Sequence, residues 1–181
     1  MIVWLARHGA TAAVPGVAIG WTDVELALDG HRQAEALAAR LASEPLAHVY
    51  SSDLRRSLDT ATIVAARHAL PVEATADLRE IHFGAWEGRR LEDLWTERPA
   101  EARVWEADVR NVPPSFGETF GELDARVTRF AHRLLDSRGD VLVVAHRGSL
   151  AVLHALLRGA RIEAALQLPF DPGTLIPLEV A

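Results

Sequence analysis

Two short motifs in this sequence combine histidine, arginine and glycine at the end of an apolar run. Residues 7–9 read Arg-His-Gly and follow the apolar run 2–6, while residues 146–148 read His-Arg-Gly and follow the apolar run 141–145. Ligands of open α/β sheets bind at the carboxyl ends of the strands, where two such strands can bring distant residues together. The two motifs therefore predict one shared site.

These residue types suit the transfer of a phosphoryl group. Because that group is negatively charged, its transfer needs fixed cations, a positioned nucleophile and an acid for the leaving group. Arginine binds phosphate through paired N–H groups, which makes Arg7 and Arg56 candidate ligands. A neutral imidazole has a free nitrogen near pH 7, so His8 could attack phosphorus.

Apolar periodicity predicts strands and helices that alternate along the chain. We predict strands at 2–6, 47–50, from 71–72 onward, 141–145 and 175–180. We predict helices from Asp29 or Gly30 to before Pro45, over 54–65, 91–96 and 100–108, from Thr119 past Leu134, and over 149–157. The alternation implies the α/β class, with a mostly parallel central sheet between two helical layers.

Polar residues mark the expected starts of two of these helices. Ser51, Ser52 and Asp53 are possible N-caps of the second helix. Thr119 and Glu122 have the spacing of a capping box. Between these helices, residues 77–88 lack a regular period and hold two glycines with aromatic residues, which indicates a packed functional loop.

Composition narrows the class of protein. The 181 residues suit a single domain over 1–181, and the absence of cysteine excludes a thiolate nucleophile or thiolate metal site. A net charge of −6 disfavours nucleic acid as the main partner, and no apolar run reaches the roughly 18 residues of a membrane span. The N-terminus lacks a signal-peptide pattern, so we expect a cytoplasmic protein. The sequence leaves open whether it is a monomer or a homodimer.

Two other readings of the same residues are less favoured. The chain has eight histidines but no His-Glu-x-x-His motif, so we expect most of them to be structural or solvent-facing. No Gly-x-Gly-x-x-Gly motif follows the first strand, which disfavours a dinucleotide site. Of the five tryptophans, Trp21 and Trp86 are the two that we expect near the substrate.

Four ordered segments resemble the motifs of the histidine phosphatase superfamily, which includes the cofactor-dependent phosphoglycerate mutases. The segments are 5–9 with Thr11, 50–57 with Thr60 and Ala61, 78–80 with 83–88, and 145–146 with Gly148. Each motif alone is weak, but the ordered set covers essentially the whole chain. The resemblance implies a three-layer, phosphoglycerate mutase-like fold.

The resemblance also implies roles for individual residues. It makes His8 the nucleophile that becomes phosphorylated, Arg7 and Arg56 the ligands of the phosphoryl group, and His146 a residue that stabilises it. Glu80 matches the proton donor. Neither a metal nor another cofactor is implied.

The residues near Glu80 leave its role open to competition. Glu87 lies in the same segment and could be the proton donor instead, while His82 could adjust the acidity of Glu80. Further expected contacts to the substrate come from Gly9, Thr11, Thr22, Arg147 and Gly148.

Within the family, the short chain and several segments resemble α-ribazole phosphatases and related small-molecule phosphatases. The segments are 20–23, 83–88 and 113–119. The implied substrate is a small phosphorylated metabolite, with α-ribazole 5'-phosphate as the named candidate. Phosphoglycerate mutases are similar but longer, and this chain lacks room for their inserted segments.

The chain departs from the family pattern at four positions. The family usually has an acidic residue at Ala10, an asparagine at Val14, a glycine at Arg147 and an arginine a few positions later, near Ala151. We expect Arg147 to supply the missing charge to the substrate pocket. Val14, Arg147 and Ala151 keep open a phosphate-binding or regulatory protein without turnover, and a mutase remains a third alternative.

Overall fold

The computed structural model describes residues 1–14 and 16–180, and a sheet of five strands lies at its centre. The strands are β1 (Ile2–Arg7), β2 (Leu46–Ser52), β3 (Val72–Thr75), β4 (Asp140–Ala145) and β5 (Leu175–Glu179). Their order across the sheet is β3-β2-β4-β1-β5. All neighbours are parallel except β5, which is antiparallel to β1, so the predicted mostly parallel sheet is confirmed.

Helices cover both faces of this sheet. They are α1 (Leu28–Leu41), α2 (Arg55–Ala66), α3 (Leu91–Glu97), α4 (Pro99–Ala107), α5 (Phe120–Leu135), α6 (Arg147–Arg158) and α7 (Ile162–Ala165). Buried residues of α1 and α2 form one core cluster with the sheet, and those of α5 and α6 form another on the other side. The three-layer arrangement predicted from the alternation is therefore confirmed.

The central strand β4 explains why the sheet is covered on both faces. Residues 141–145 are apolar and fully buried, as expected for a parallel strand between two helical layers. Their side chains alternate between the two core clusters, with Val141 and Val143 in one and Leu142 and Val144 in the other. The apolar run thus serves both layers at once.

Register brings the two opening motifs together. Arg7 at the end of β1 lies opposite Ala145 at the end of β4. Because the two strands are parallel, the residues that follow them, His8 and His146, leave the sheet at the same edge. The shared site expected from sequence has its structural basis in this pairing.

The start of α2 differs from the expectation. Ser51 and Ser52 are buried at the end of β2 and cap no helix; the N-cap residue is Leu54, without a side-chain bond. Asp23 instead accepts a hydrogen bond of 2.8 Å from the Arg55 amide. The residue that caps α2 thus lies in a loop 32 residues away in sequence, so the residues next to the helix do not reveal it.

Other element predictions agree more closely. The predicted Thr119–Glu122 capping box opens α5, whose apolar residues Leu123, Val127, Phe130 and Leu134 are buried, while Phe120 is half-buried. The short helix α7 was not predicted. Pro177 lies in β5 at the edge of the sheet, where a missing N–H is tolerated. Within the part of the chain described, no helix is both long and apolar enough to cross a membrane.

Candidate active site

A cavity of about 590 Å³, which we call the histidine cavity, opens at the carboxyl ends of β1 and β4. Seven of the residues singled out from sequence line it: Arg7, His8, Thr11, Arg56, Glu80, His146 and Arg147. The rings of His8 and His146 lie 5.1 Å apart between centroids, tilted by 58°. The fold thus collects at one place residues that are far apart in sequence.

His8 is held in a single tautomer. Its Nδ1 lies 2.7 Å from the carbonyl oxygen of Gly9, and since a carbonyl can only accept, Nδ1 carries the proton. The free electron pair is therefore on Nε2. Burial, together with the nearby Arg56 and Arg7 guanidinium groups, lowers the pKa of His8 to about 3. At neutral pH the imidazole is uncharged and its Nε2 is a competent nucleophile.

His146 is the more deeply buried of the two histidines. Burial lowers its pKa well below the usual value, and the charges of Arg56 and Arg7 act in the same direction. Its Nε2 lies 3.3 Å from the hydroxyl of Ser57 on α2, while its backbone N–H donates to Ser149 in the first turn of α6. His146 thus contacts helices on opposite faces of the sheet, α2 through its ring and α6 through its backbone.

Two arginines bring positive charge to the cavity. Arg56 is 1% exposed, and its guanidinium donates to the carbonyl oxygens of Gly20 at 2.7 Å and Thr22 at 3.0 Å. Arg7 donates to the carbonyl oxygen of Phe170 at 2.7 Å. Burial lowers the pKa of both guanidinium groups, and Glu80 opposes that shift in each. They stay charged, since a guanidinium group is not deprotonated in proteins.

Glu87 organises the loop that holds Arg56. Its carboxylate accepts hydrogen bonds from the backbone N–H groups of residues 20–22 and Phe83 and from the hydroxyl of Thr22. These bonds lower the pKa of Glu87 against the opposing effect of burial. The acceptor positions of Glu87 are thus occupied, and the residue does not line the histidine cavity. Its carboxylate holds the loop together, whereas that of Glu80 faces the cavity.

The Glu80 carboxylate lines the cavity and is oriented by backbone donors. It accepts from its neighbour Ile81 at 2.9 Å and from the amide of Gly148 at 3.0 Å. Gly148 lies in the first turn of α6, and a Cβ at that position would overlap Oε1 of Glu80. The glycine of the second motif thus leaves space for the Glu80 carboxylate.

The backbone beside Glu80 is fixed by Arg126 of α5, which sequence reasoning missed. Arg126 donates to the carbonyl oxygens of Asp77, Arg79 and Glu80 and pairs with the Glu118 carboxylate through two further bonds. This arrangement uses every N–H of the guanidinium. Both partners of the ion pair are about nine-tenths buried. The signal in sequence was an arginine on the otherwise apolar face of α5.

Several expected contacts lie outside the cavity lining. Gly9 donates its N–H to Thr60 and packs against the backbone of Gly30, so it positions the loop. The hydroxyl of Thr22 is bound to Glu87 and does not face the cavity. Gly148 donates its backbone N–H to the Glu80 carboxylate.

The positions that depart from the family pattern separate into two groups. Ala10 and Val14 line the cavity, and Val14 is 54% exposed. Ala151, by contrast, is fully buried in the core cluster that includes α6 and does not line the cavity. Arg147 is exposed, lines the cavity, and donates to the carbonyl oxygen of Leu166.

The aromatic residues expected near the substrate differ in position. Trp21 lies outside the cavity, where its ring contacts that of His82 with 4.8 Å between centroids and a tilt of 35°. Its indole N–H donates to the Glu80 carbonyl at 2.8 Å. His82 does not line the cavity either. Trp86 is buried in the wall of a second, adjoining cavity. Over residues 1–14 and 16–180, no three acidic or histidine side chains are grouped as metal ligands would be.

Comparison with known proteins agrees with this geometry. The family model of the histidine phosphatase superfamily (branch 1) matches residues 3–181. The chain belongs to this superfamily. This histidine phosphatase is 34% identical to the adenosylcobalamin/alpha-ribazole phosphatase of Escherichia coli (strain K12), over 99% of this chain and 90% of that protein. It is a phosphoric monoester hydrolase, as its named relatives are.

Two further comparisons describe its place among these phosphatases. It is 33% identical to the glucosyl-3-phosphoglycerate phosphatase of Mycolicibacterium vanbaalenii, over 88% of this chain and 75% of that protein. The crystal structure of the alpha-ribazole phosphatase from Shigella flexneri superposes with a TM-score of 0.92 at 33% identity, covering 100% of this chain and 91% of that one. The relatives thus act on more than one kind of phosphomonoester.

Proposed function

We propose that this histidine phosphatase hydrolyses its substrate without a metal, through a phosphohistidine on His8. The observation that carries the proposal is the hydrogen bond from His8 Nδ1 to the Gly9 carbonyl, which leaves Nε2 unprotonated in the histidine cavity. Arg7 and Arg56, beside the same imidazole, supply the positive charge that a metal provides in other phosphotransferases.

In the first step, Nε2 of His8 attacks phosphorus in line with the ester oxygen. A P–N bond forms, the P–O ester bond breaks, and the leaving oxygen takes a proton from Glu80. Arg7, Arg56 and His146 stabilise the charge on the equatorial oxygens. The preset tautomer removes the need for a separate base at this step.

In the second step, water hydrolyses the phosphohistidine. The Glu80 carboxylate, which lost its proton in the first step, takes a proton from the attacking water. The P–N bond then breaks, inorganic phosphate leaves, and the electron pair returns to Nε2. One carboxyl group thus acts first as acid and then as base.

We propose α-ribazole 5'-phosphate as the substrate. Support comes from the activity for which the Escherichia coli relative is named and from the similarity of the whole chain to the Shigella flexneri structure. A phosphoglycerate mutase reaction and a phosphate-binding role without turnover were the alternatives that the sequence left open. The intact set of His8, Glu80 and the two arginines in one cavity favours turnover.

We also propose that the protein is cytoplasmic and consists of a single domain, as expected from its sequence.

A direct assay separates these functions. Purified wild-type protein and the His8→Ala variant are assayed on an aryl phosphate and on α-ribazole 5'-phosphate in the presence of a chelator. We expect phosphate release by wild type alone. Binding of phosphate without release would favour the regulatory role, and isomerisation of phosphoglycerate that depends on a bisphosphate primer would favour a mutase.

A further inference from the structure

A second cavity, of about 430 Å³, lies beside the histidine cavity. Its walls include Trp86, Trp95 of α3 and Trp105 of α4, so we call it the tryptophan cavity. Trp86 and Trp105 are in edge-to-face contact, with 5.2 Å between ring centroids. Three of the chain's five tryptophans therefore line the tryptophan cavity.

The two cavities share part of their lining. Glu80, Phe83, Leu91 and Arg147 line both. Glu80 is the residue that we assign as acid to the leaving oxygen, so whatever leaves the phosphorus departs past this shared wall. The tryptophan cavity thus lies where the leaving group of a substrate bound at His8 would extend.

The chemistry of the walls selects among leaving groups. Apart from Glu80 and Arg147 at the shared wall, the lining side chains are apolar or aromatic. A hydroxyl-rich sugar placed there would lose its hydrogen bonds to water without gaining new partners, which disfavours its binding. A flat apolar ring would instead stack on indole faces.

Exposure of large side chains in the cavity also points to a ligand. Trp95 is 40% exposed and Leu91 is 38% exposed. Apolar surface left open beside a polar catalytic cavity is typical of a binding site. The volume lies at the lower end of the roughly 300–1,000 Å³ found for small-molecule pockets, which suits one fused ring system.

We propose that the tryptophan cavity binds an aromatic ring of the leaving group and makes this phosphatase selective for phosphomonoesters that carry one. This inference rests on the phosphatase function proposed above and deepens it. For α-ribazole 5'-phosphate, the benzimidazole would occupy the tryptophan cavity while the phosphate lies at His8. A glucosyl group, as the name of the mycobacterial relative implies, does not suit these walls.

The test compares α-ribazole 5'-phosphate with ribose 5-phosphate, because the two differ only by the base. We expect wild type to prefer the former in kcat/KM by about a hundredfold, and Trp95→Ala to reduce that ratio about tenfold, as expected from one lost stacking contact. Val104→Ala is the control, because Val104 is exposed on α4 and does not line the cavity. It should leave the ratio unchanged.

The outcomes distinguish this inference from the proposed function. If both substrates are hydrolysed through His8 at equal kcat/KM, or if Trp95→Ala leaves the ratio at its wild-type value, the inference is wrong and the phosphatase function stands. If neither substrate nor an aryl phosphate is hydrolysed, the proposed function fails. In that case, binding of dephosphorylated α-ribazole that quenches tryptophan fluorescence in wild type, and less in Trp95→Ala, would still support the cavity assignment.

Discussion

The backbone carbonyl of Glu80 accepts a hydrogen bond of 2.9 Å from the guanidinium of Arg126. The same guanidinium holds the carbonyls of Asp77 and Arg79, so it fixes the chain on the approach to Glu80. Arg126 does not itself line the histidine cavity. We therefore describe it as a positioning residue for the acid.

Arg126→Lys tests this role. Lysine keeps the charge opposite Glu118 but cannot bind three carbonyls and a carboxylate together, so we expect Glu80 to shift and kcat to fall about tenfold to a hundredfold. KM should change less, because the arginines of the cavity are untouched. Steady-state kinetics well below the melting temperature measure both constants.

Arg129→Lys is the matched control for Arg126→Lys. Arg129 lies on the same helix but is exposed, and it contacts Asp77 from the surface. We expect near wild-type kinetics. A lower melting temperature for Arg126→Lys with an unchanged kcat would assign Arg126 a purely structural role.

The two glutamates of the 77–88 segment should respond differently to substitution. Glu80→Gln removes the proton donor, so hydrolysis of an alkyl phosphate should fall about 10²–10⁴-fold. Formation of the phosphoenzyme from an aryl phosphate, whose leaving group needs little protonation, should fall much less. Glu87→Gln loosens the loop that holds Arg56, so it should raise KM for both substrates.

Rapid-mixing measurements of the released alcohol or phenol check this difference. Glu92→Gln, at an exposed position of α3, controls for the loss of one negative charge. If Glu87→Gln, and not Glu80→Gln, shows the dependence on the leaving group, the assignment of the acid is reversed.

Much of the site was predictable because its parts lie at ends of strands. The apolar runs before His8 and His146 specify β1 and β4, and parallel pairing then brings the two histidines to one edge. The acid was ambiguous in sequence, since Glu80 and Glu87 share one loop. Only the hydrogen bonds made by Glu87 show which carboxylate is free to face the cavity.

Long-range contacts account for what sequence did not reveal. Arg126 is 46 residues from Glu80, and Asp23 is 32 residues from the helix end that it caps. The sequence suggested that a charge missing at position 151 would affect the substrate pocket, but Ala151 of α6 lies in the hydrophobic core. The tryptophan cavity likewise assembles from α3, α4 and α5, whose mutual packing no local pattern specifies.

Arg147 is expected to strengthen substrate binding. It is exposed at the wall shared by the two cavities, where its charge can reach a bound phosphomonoester. We expect Arg147→Ala to raise KM about tenfold with little change in kcat, since one charge-assisted contact contributes about 1.5–3 kcal/mol at most. Titration of initial rates against the concentration of an aryl phosphate gives both constants.

Arg158→Ala provides the comparison for Arg147→Ala, because Arg158 is exposed at the other end of α6. It should leave KM unchanged. Unchanged kinetic constants for Arg147→Ala would remove this residue from the substrate site.

Stability should depend on pH through the buried histidines. The pKa of His8 falls from 6.5 to about 3 on folding. Above pH 6.5 the imidazole is neutral in both states, but at lower pH the unfolded chain binds a proton that the folded chain does not. The folded state therefore loses stability as the pH falls from 6.5 toward 3, by about 2 kcal/mol at pH 5 for His8 alone.

Denaturant unfolding at pH 7 and pH 5 measures this loss. We expect the fall in the free energy of unfolding to be about 2 kcal/mol smaller in His8→Asn than in wild type. His31→Asn, at an exposed position of α1, should behave as wild type does. Equal losses in wild type and His8→Asn would show that His8 is protonated in the folded protein at pH 5.

The most direct test of the account is to trap the phosphoenzyme. Wild type, Glu80→Gln and His8→Asn are mixed with an aryl phosphate, quenched in alkali, where the P–N bond survives, and mapped by mass spectrometry. We predict phosphate on His8 in wild type, more of it in Glu80→Gln because hydrolysis lacks its base, and none in His8→Asn. Turnover with no phosphate on His8, or with phosphate on another residue, would contradict the mechanism.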